Sequence, residues 1–140
     1  MTGSPRAGVV GFPARHSRSP LIHGHWLRAH GINGAYTAEE VAEGDLAAFV
    51  EGLRVEPWRG CNVTVPHKVA AAGLVDRLDG EAVALGAVNT IWREGGELVG
   101  GNTDGYGFLA NLDASAPGWD RQGFRATVLG AGGAARAILF

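Results

Sequence analysis

Residues 60–72 read GCNVTVPHKVAAA, and this segment indicates the fold class because it holds a strand, a break and a helix in direct succession. Polar and apolar residues alternate from Gly60 to Val65, which predicts a strand with one buried face. Pro66 ends that strand, and the alanine-rich residues from about His67 to Ala72 predict a short helix. A strand that leads into a helix is the unit from which α/β proteins are built.

The residues before this stretch continue the alternation of strands and helices. Ala7 to Phe12 is a short apolar run closed by glycine and proline, which predicts a buried strand. Ser19 and Pro20 have the pattern of a helix N-cap and the first residue of its helix. Asn33 to Thr37 predicts a second strand, and the apolar spacing from Leu46 to Leu53 predicts a second helix. The fold class is therefore α/β.

The residues after the stretch predict a hairpin, a third helix and a domain boundary. Val88 to Trp92 and Glu97 to Val99 flank Glu94-Gly95-Gly96, a sequence typical of a tight β-turn. A helix is expected from about Tyr106 to Leu112. The stretch from Ala116 to Gly123 contains proline and glycine and predicts the boundary between two domains.

A glycine-rich turn follows that boundary. Ala126 to Leu129 predicts a strand, and an alanine-rich helix is expected after the turn, up to Phe140. Gly130, Gly132 and Ala135 fit G-x-G-x-x-[G/A], in which glycines let the backbone approach a pyrophosphate. A tight turn without a ligand is the alternative. One βα unit cannot bury both of its sides, so these residues are expected to start a domain that is mostly missing.

Composition excludes several classes of function. The 140 residues are 46% hydrophobic and 19% charged, which suits one buried domain. A net charge of -2 without any run of basic residues argues against nucleic acid as a partner. Neither a signal peptide nor a membrane span is predicted, so the expected compartment is the cytoplasm. Cys61 is the only cysteine, and the five histidines lack the spacing of metal ligands.

Lys68 is the only lysine among the 12 Lys and Arg residues of the chain. An ammonium can release a proton near neutral pH in a suitable environment, whereas a guanidinium cannot. Lys68 also follows a strand and a proline, at the predicted first turn of a helix. We interpret it as a proton-transfer residue, with a solvated surface lysine as the alternative.

Other polar side chains cluster where strands end. Ser17 and Ser19 precede a helix, at the end of a sheet where α/β proteins bind ligands, and Ser19 has a plain N-cap as its alternative role. Thr64 shares a strand face with Asn62. Asn89 opens the hairpin. Asp104 follows it beside Asn102 and Thr103, and could simply cap the next helix. A polyol ligand would need such a ring of donors and acceptors.

Five segments together resemble the shikimate dehydrogenase family. The family's Ser-x-Ser-Pro, Asn-Val-Thr-x-Pro-x-Lys, Gly-Ala-Val-Asn-Thr, Asn-Thr-Asp-Gly and Gly-Ala-Gly-Gly-Ala motifs are matched, in this order, by Ser17 to Pro20, Asn62 to Lys68, Gly86 to Thr90, Asn102 to Gly105 and Gly130 to Ala134. The resemblance implies a three-layer α/β/α substrate domain over residues 1–116. Residues 117–140 would be a linker and the first βα unit of a truncated Rossmann domain.

The resemblance also implies an activity and a site. The activity is the reversible NADPH-dependent reduction of 3-dehydroshikimate to shikimate in the biosynthesis of chorismate and aromatic amino acids. Lys68 and Asp104 would be the catalytic pair. The residues implied for the carboxylate and hydroxyls of the substrate are Ser17, Ser19, Thr64, Asn89 and Asp104. Those implied for NADP are Gly130, Ala131, Gly132, Gly133 and Ala134, and no metal is implied.

Two other interpretations stay open at this stage. A quinate/shikimate dehydrogenase that uses NAD would share the same catalytic pair, and the residue that separates NAD from NADP is expected beyond Phe140. A non-catalytic shikimate-binding module is the other, because most of the cofactor domain is missing and the chain alone is expected to be inactive. The partner is a small molecule in each case, and the protein is expected to be a monomer or a homodimer.

Overall fold

The computed structural model describes residues 3–121, 123 and 125–139. The strand predicted for residues 60–65 is observed at residues 58–63, near the centre of a six-stranded sheet. The strands are β1 (Arg6–Gly11), β2 (Ala35–Glu40), β3 (Trp58–Val63), β4 (Arg77–Leu78), β5 (Thr90–Glu94) and β6 (Glu97–Gly101). The helices are α1 (Ser19–Ala29), α2 (Leu46–Gly52), α3 (Lys68–Ala72), α4 (Gly80–Leu85), α5 (Asp104–Ser115) and α6 (Gly133–Leu139).

The sheet is mixed, in the order β2-β1-β3-β5-β6-β4. β1 runs parallel to β2 and to β3, while β5 runs antiparallel to both β3 and β6. The carboxyl ends of β1, β2 and β3 therefore meet at one edge, where open α/β sheets bind their ligands.

Helices cover both faces of this sheet, and the α/β prediction is confirmed. Val10, Val63 and Ile91 share one face by register and form the main core with residues of α2, α3 and α4. Tyr36 lies on the opposite face, where the His23 ring of α1 stacks on it with centroids 4.1 Å apart. The layers are thus α1, the sheet, and α2 to α4.

The hairpin between β5 and β6 is built on the two glycines that the sequence singled out. Gly95 and Gly96 have φ angles of +58° and +92°. Positive φ at both central residues is what a two-residue hairpin turn needs, and glycine adopts it without steric cost. β5 begins and ends two residues later than predicted, at Thr90 and Glu94, and β6 extends to Gly101, because these backbones are paired.

The structure corrects several sequence predictions. The helix begins at Ser19 itself, and Arg18 stands at the N-cap position, so Ser19 is not the cap. The second strand runs over Ala35–Glu40 rather than Asn33 to Thr37, because β1 pairs with these residues. The helix after the hairpin already begins at Asp104. β4 and α4 were missed, although Asp79 caps α4 by accepting a hydrogen bond from Ala82 N.

The predicted strand from Ala126 to Leu129 is wrong for these residues, which the structure describes without regular secondary structure. A strand needs a neighbour to receive its backbone hydrogen bonds, and no strand of the described sheet pairs with these residues. The alanine-rich helix does form as α6. Three positions of these segments lie outside the described residues: 122 in the predicted boundary stretch, 124 just after it, and 140 at the end of the predicted helix.

The end of the chain packs on the helices that precede it. Ala137 of α6 is buried with Leu85 and Ala87. Gly105 in α5 permits the approach of α6, since a Cβ there would lie 2.9 Å from the Ala137 carbonyl oxygen. In the described part of the chain, no helix has the length and apolar character needed to cross a membrane.

Candidate active site

A polar cavity of about 360 Å³ opens where β1 and β3 end, beside the start of α1. Its volume is in the range of small-molecule sites. Its walls combine apolar side chains with hydroxyl, amide, ammonium and carboxylate groups. The lining residues are Val9, Pro13, Ala14, Ser17, Ser19, Asn62, Val63, Thr64, Lys68, Asn89 and Asp104. All six residues predicted for substrate or catalysis are among them.

Lys68 and Asp104 form an ion pair in this wall. Lys68 Nζ donates to Asp104 Oδ2 at 2.6 Å, with 16% and 27% of the two side chains exposed. Each charge therefore has its partner within direct reach but is only partly hydrated, which strengthens their interaction relative to a surface pair. An ammonium held by a carboxylate beside a cavity can donate a proton to a bound ligand.

The backbone around Lys68 is anchored on two sides. His67, only 1% exposed, donates from Nε2 to the Val41 carbonyl at 2.7 Å, so it holds the start of α3 in place. The Lys68 carbonyl accepts a hydrogen bond from Val88 N at 2.8 Å, just before β5. These bonds place the first turn of α3 against the segment that carries Asn89. His67 is thus a buried structural residue.

Asp104 does not cap the helix that it begins. It is the first residue of α5, and its carboxylate contacts Lys68 and Asn89 instead. The backbone N–H of Asp104 donates to Asn102 Oδ1 at 2.9 Å. Asn102 is 3% exposed and also donates to the Ala87 carbonyl, so it positions the turn. The helix-cap alternative for Asp104 is therefore wrong.

The Asn89 side chain makes four hydrogen bonds within the protein. Its Nδ2 donates to Asp104 Oδ1 and to Thr103 Oγ1, both at 3.0 Å. Its Oδ1 accepts from Thr90 Oγ1 at 3.0 Å and from Thr103 N at 3.3 Å. An amide side chain has two donors and two acceptor positions, so a ligand hydroxyl must replace or share one of these bonds.

The two predicted serines stand side by side at the start of α1. Ser17 Oγ accepts a hydrogen bond from Ser19 N at 3.2 Å, which leaves the Ser17 hydroxyl hydrogen for another acceptor. Ser17 rather than Ser19 thus contacts the free backbone N–H of the helix start. Thr64 follows the last residue of β3, held by its N–H on the Val10 carbonyl. All three hydroxyl-bearing residues line the cavity.

Tyr36 and Thr90 lie in the wall of a neighbouring cavity that shares Asn62 with this one, and the sequence did not single them out as site residues. Tyr36 OH donates to Asn62 Oδ1 at 2.6 Å, and Asn62 Nδ2 donates to Thr90 Oγ1 at 3.1 Å. Burial raises the pKa of Tyr36 to about 12, while the Ser19 side chain acts in the opposite direction. Thr90 stood inside a recognised motif, but no local signal pointed to Tyr36, whose role depends on strand pairing.

The glycine turn lies against Lys68. A Cβ at Gly133 would be 3.0 Å from Lys68 Cβ, so this position leaves room for the lysine stem. Gly130 has a φ of +126°, and neither Gly130 nor Gly132 has a heavy atom within 4 Å of the place where a Cβ would lie. The backbone of the turn is therefore open to close approach by a ligand.

Cys61 and His23 have structural roles. Cys61 is buried, and burial raises the pKa of its thiol to about 12, so it is neutral near pH 7. His23 stacks on Tyr36 and contacts Trp26 edge-on. Among the residues that the structure describes, no three His, Cys, Asp or Glu side chains are grouped as metal ligands.

Comparison with known proteins identifies relatives of this chain. The family model for the shikimate dehydrogenase substrate binding domain matches residues 9–91. The NADP(+) shikimate dehydrogenase of Brucella abortus (strain S19) is 58% identical over 139 residues, which are 99% of this chain and 48% of that protein. The chain thus spans about half the length of the curated relatives that it matches.

Solved structures of shikimate dehydrogenases share the fold of this chain. Shikimate dehydrogenase 1 from Peptoclostridium difficile has a TM-score of 0.89 at 35% identity, over 96% of this chain and 51% of that one. The Thermus thermophilus enzyme in complex with NADP(H) and shikimate has a TM-score of 0.80 at 38% identity, over 96% of this chain and 50% of that one.

Proposed function

The chain belongs to the shikimate dehydrogenase family through its substrate-binding domain, and on that premise we propose that it is the substrate half of an NADP-dependent shikimate dehydrogenase. The reaction is the reversible reduction of 3-dehydroshikimate to shikimate, in chorismate and aromatic amino acid biosynthesis. One observation carries the proposal: Lys68 Nζ and Asp104 Oδ2 pair at 2.6 Å in the wall of a polar cavity.

Lys68 is the acid and base of this proposal. Reduction of a ketone adds a hydride to the carbon and a proton to the oxygen, and the Lys68 ammonium donates that proton. In the reverse direction the neutral amine accepts the proton of the hydroxyl as the hydride leaves. Asp104 accepts hydrogen bonds from the ammonium and from the reacting hydroxyl, and so aligns the two groups.

The other predicted side chains hold the rest of the substrate. Ser17 and Ser19 donate their hydroxyl hydrogens to the shikimate carboxylate, while Thr64 and Asn89 bind ring hydroxyls. Their common position on one cavity supports this assignment. The serines then offer neutral donors to the ligand, whereas Lys68 and Asp104 offer a charged pair. This asymmetry orients the ring so that one hydroxyl meets Lys68.

Residues Gly130 to Ala134 fit the contact with the pyrophosphate of NADP. The open space at Gly130 and Gly132, and the start of α6 at Gly133, support this assignment. When it is bound, the nicotinamide supplies the hydride. The contact of Gly133 with Lys68 places the turn beside the proton donor. We also keep residues 117–140 as the start of a second domain, in which most of the cofactor site would lie.

The cytoplasm is the compartment that we propose. Cys61 is a free, buried thiol, which suits a reducing environment. The proposed partners are shikimate and 3-dehydroshikimate, and we keep the prediction of a monomer or homodimer.

Calorimetry on the 140-residue chain tests the substrate. We expect shikimate to bind more tightly than quinate, and Asp104→Asn to weaken shikimate binding about 10-fold or more, because it removes a charged hydrogen-bond acceptor. Asp113→Asn on the same helix is the matched control, since Asp113 contacts Trp119 away from the cavity. Absence of shikimate binding to the unaltered chain would overturn the proposal.

An absorbance assay with NADPH and 3-dehydroshikimate tests the role of the chain. We expect no turnover by these 140 residues alone, because they match about half of the relatives' length. Turnover by the chain alone would show that the glycine turn and α6 suffice for hydride transfer.

A further inference from the structure

We propose that Tyr36 is a positioning residue of the substrate site, whose hydroxyl begins a hydrogen-bond relay through Asn62 and Thr90 that orients the Asn89 amide toward Asp104. The role in substrate binding rests on the function proposed above. The relay itself is a property of the folded chain. None of its first three members was assigned a role in catalysis or substrate binding.

The sheet brings the relay together from three strands. Tyr36 on β2, Asn62 on β3 and Thr90 at the start of β5 lie on the same face of the sheet by register. β1 runs between β2 and β3, so the tyrosine ring must cross it to reach Asn62. The residue of β1 that pairs with Tyr36 is Ala7, whose small side chain leaves room for this crossing.

Each step of the relay is a short donor-to-acceptor contact. Tyr36 OH donates to Asn62 Oδ1 at 2.6 Å, and Asn62 Nδ2 donates to Thr90 Oγ1 at 3.1 Å. Thr90 Oγ1 donates to Asn89 Oδ1, and Asn89 Nδ2 donates to Asp104 Oδ1, both at 3.0 Å. Every member thus donates toward the carboxylate that pairs with Lys68.

The charge of Asp104 selects this direction. If both amides were turned over, Asn89 Oδ1 would face Asp104 Oδ1 at 3.0 Å, and two acceptors would oppose each other without a hydrogen. The carboxylate therefore favours the orientation in which Asn89 presents its NH₂ group. Thr90 and Thr103 N hold Asn89 Oδ1 from the other side. Hydrogen bonds in such a chain polarise one another.

Tyr36 also lies where two cavities meet. Asn62 lines both the polar cavity and a second, mainly apolar one, in whose wall Tyr36 and Thr90 stand. The Ser19 side chain is a neighbour of the tyrosine hydroxyl on the polar side. The hydroxyl therefore links the serines proposed for the carboxylate to the amides beside the catalytic pair.

Solution NMR and calorimetry on the 140-residue chain test the relay. In Tyr36→Phe we expect the side-chain NH₂ signals of both Asn62 and Asn89 to shift, and the Kd for shikimate to rise roughly 2- to 10-fold. Tyr106→Phe is the matched control, because Tyr106 is the other tyrosine and is 79% exposed. The control variant should change neither the two amide signals nor the affinity.

A second pair of variants separates hydrogen bonding from packing. Thr90→Val keeps the shape of the side chain but removes the hydroxyl, and should reproduce the effects of Tyr36→Phe on Asn89 and on shikimate. Thr90→Ser keeps the hydroxyl and should restore both. If Tyr36→Phe does not fold, these two Thr90 variants still test whether the hydrogen bonds of the relay orient Asn89.

Three results would overturn the relay or separate it from the proposed function. An unmoved Asn89 NH₂ signal in both Tyr36→Phe and Thr90→Val would reject the relay, even if the affinity fell. Shifted signals with an unchanged Kd would reject a role in substrate binding. If the unaltered chain binds no shikimate, the proposed function fails, while the amide signals still decide whether the relay exists.

Discussion

Two segments of the chain share a sequence pattern but not a structure. Residues 58–72 and residues 126–139 each run from an apolar stretch through a turn into an alanine-rich segment. The first forms β3 and α3, whereas among the described residues of the second only α6 is regular. β3 lies between β1 and β5, which complete its backbone hydrogen bonds. A helix closes its own hydrogen bonds and needs only packing partners, which α4 and α5 provide.

A strand prediction is therefore conditional on the presence of neighbouring strands, while a helix prediction is mainly local. The same contrast divides the chemistry. The first segment delivers Lys68 into a cavity whose walls are complete in this chain. The second contains a glycine turn whose Gly133 lies against the Lys68 side chain, while its residues 126–129 have no regular structure.

Hydrogen exchange should show the largest contrast between the two segments. We expect the amide of Val63, bonded to the Asn89 carbonyl at 2.7 Å, to exchange about 10⁴-fold or more slowly than that of Val128. Its opening requires the sheet to unfold, whereas residues 126–129 have no regular structure to open. NMR-detected exchange measures both. Similar protection at the two valines would mean that the second segment has a partner strand in solution.

Lys68→Ala tests whether the chemistry depends on the first segment. In a chimera that joins this chain to the second half of a Brucella relative, we expect kcat to fall about 10³-fold with a smaller change in KM, because a proton donor acts in the transition state. Lys68→Arg is the control that keeps the positive charge but cannot donate a proton near neutral pH. It should also be inactive. A change mainly in KM would make Lys68 a binding residue.

A pair of leucines gives the smallest but most direct test. Leu98 of β6 is fully buried, whereas Leu129 of the second segment is 95% exposed. Leu98→Ala should lower the free energy of unfolding by about 2–5 kcal/mol, because it leaves a cavity in the core. Leu129→Ala should change it by less than about 0.5 kcal/mol. Denaturant unfolding measures both, and a large loss at Leu129 would show that this segment is packed in solution.

The sequence predicted the parts of the fold that depend on local pattern. Proline and glycine positions located the break before α3 and the hairpin turn, and apolar spacing located α2. The bounds of β2 were wrong because pairing with β1, not composition, sets where that strand runs. α4 was overlooked although Asp79 before it and Gly86 after it, at a φ of +59°, are ordinary helix start and stop signals.

In the candidate site, too, residues in local motifs could be predicted, whereas residues brought in by strand pairing could not. Short sequence motifs contain Lys68, Asp104 and the serines Ser17 and Ser19, so these residues could be predicted from the sequence. Tyr36 reaches the site only by crossing β1 from a neighbouring strand, and no spacing along the chain encodes that approach. Asn102 was grouped with the ligand-binding residues because it is polar, yet it is buried and hydrogen-bonded to the backbone.

The single lysine has a practical consequence for spectroscopy. Reductive methylation with ¹³C-formaldehyde would label Lys68 Nζ and the α-amino group of the chain, since the other basic side chains are arginines. The two kinds of amine resonate at different positions, so one signal would belong to the ion pair alone. The chain thus allows a single side-chain ¹³C label, without mutation, beside Asp104 in the wall of the polar cavity.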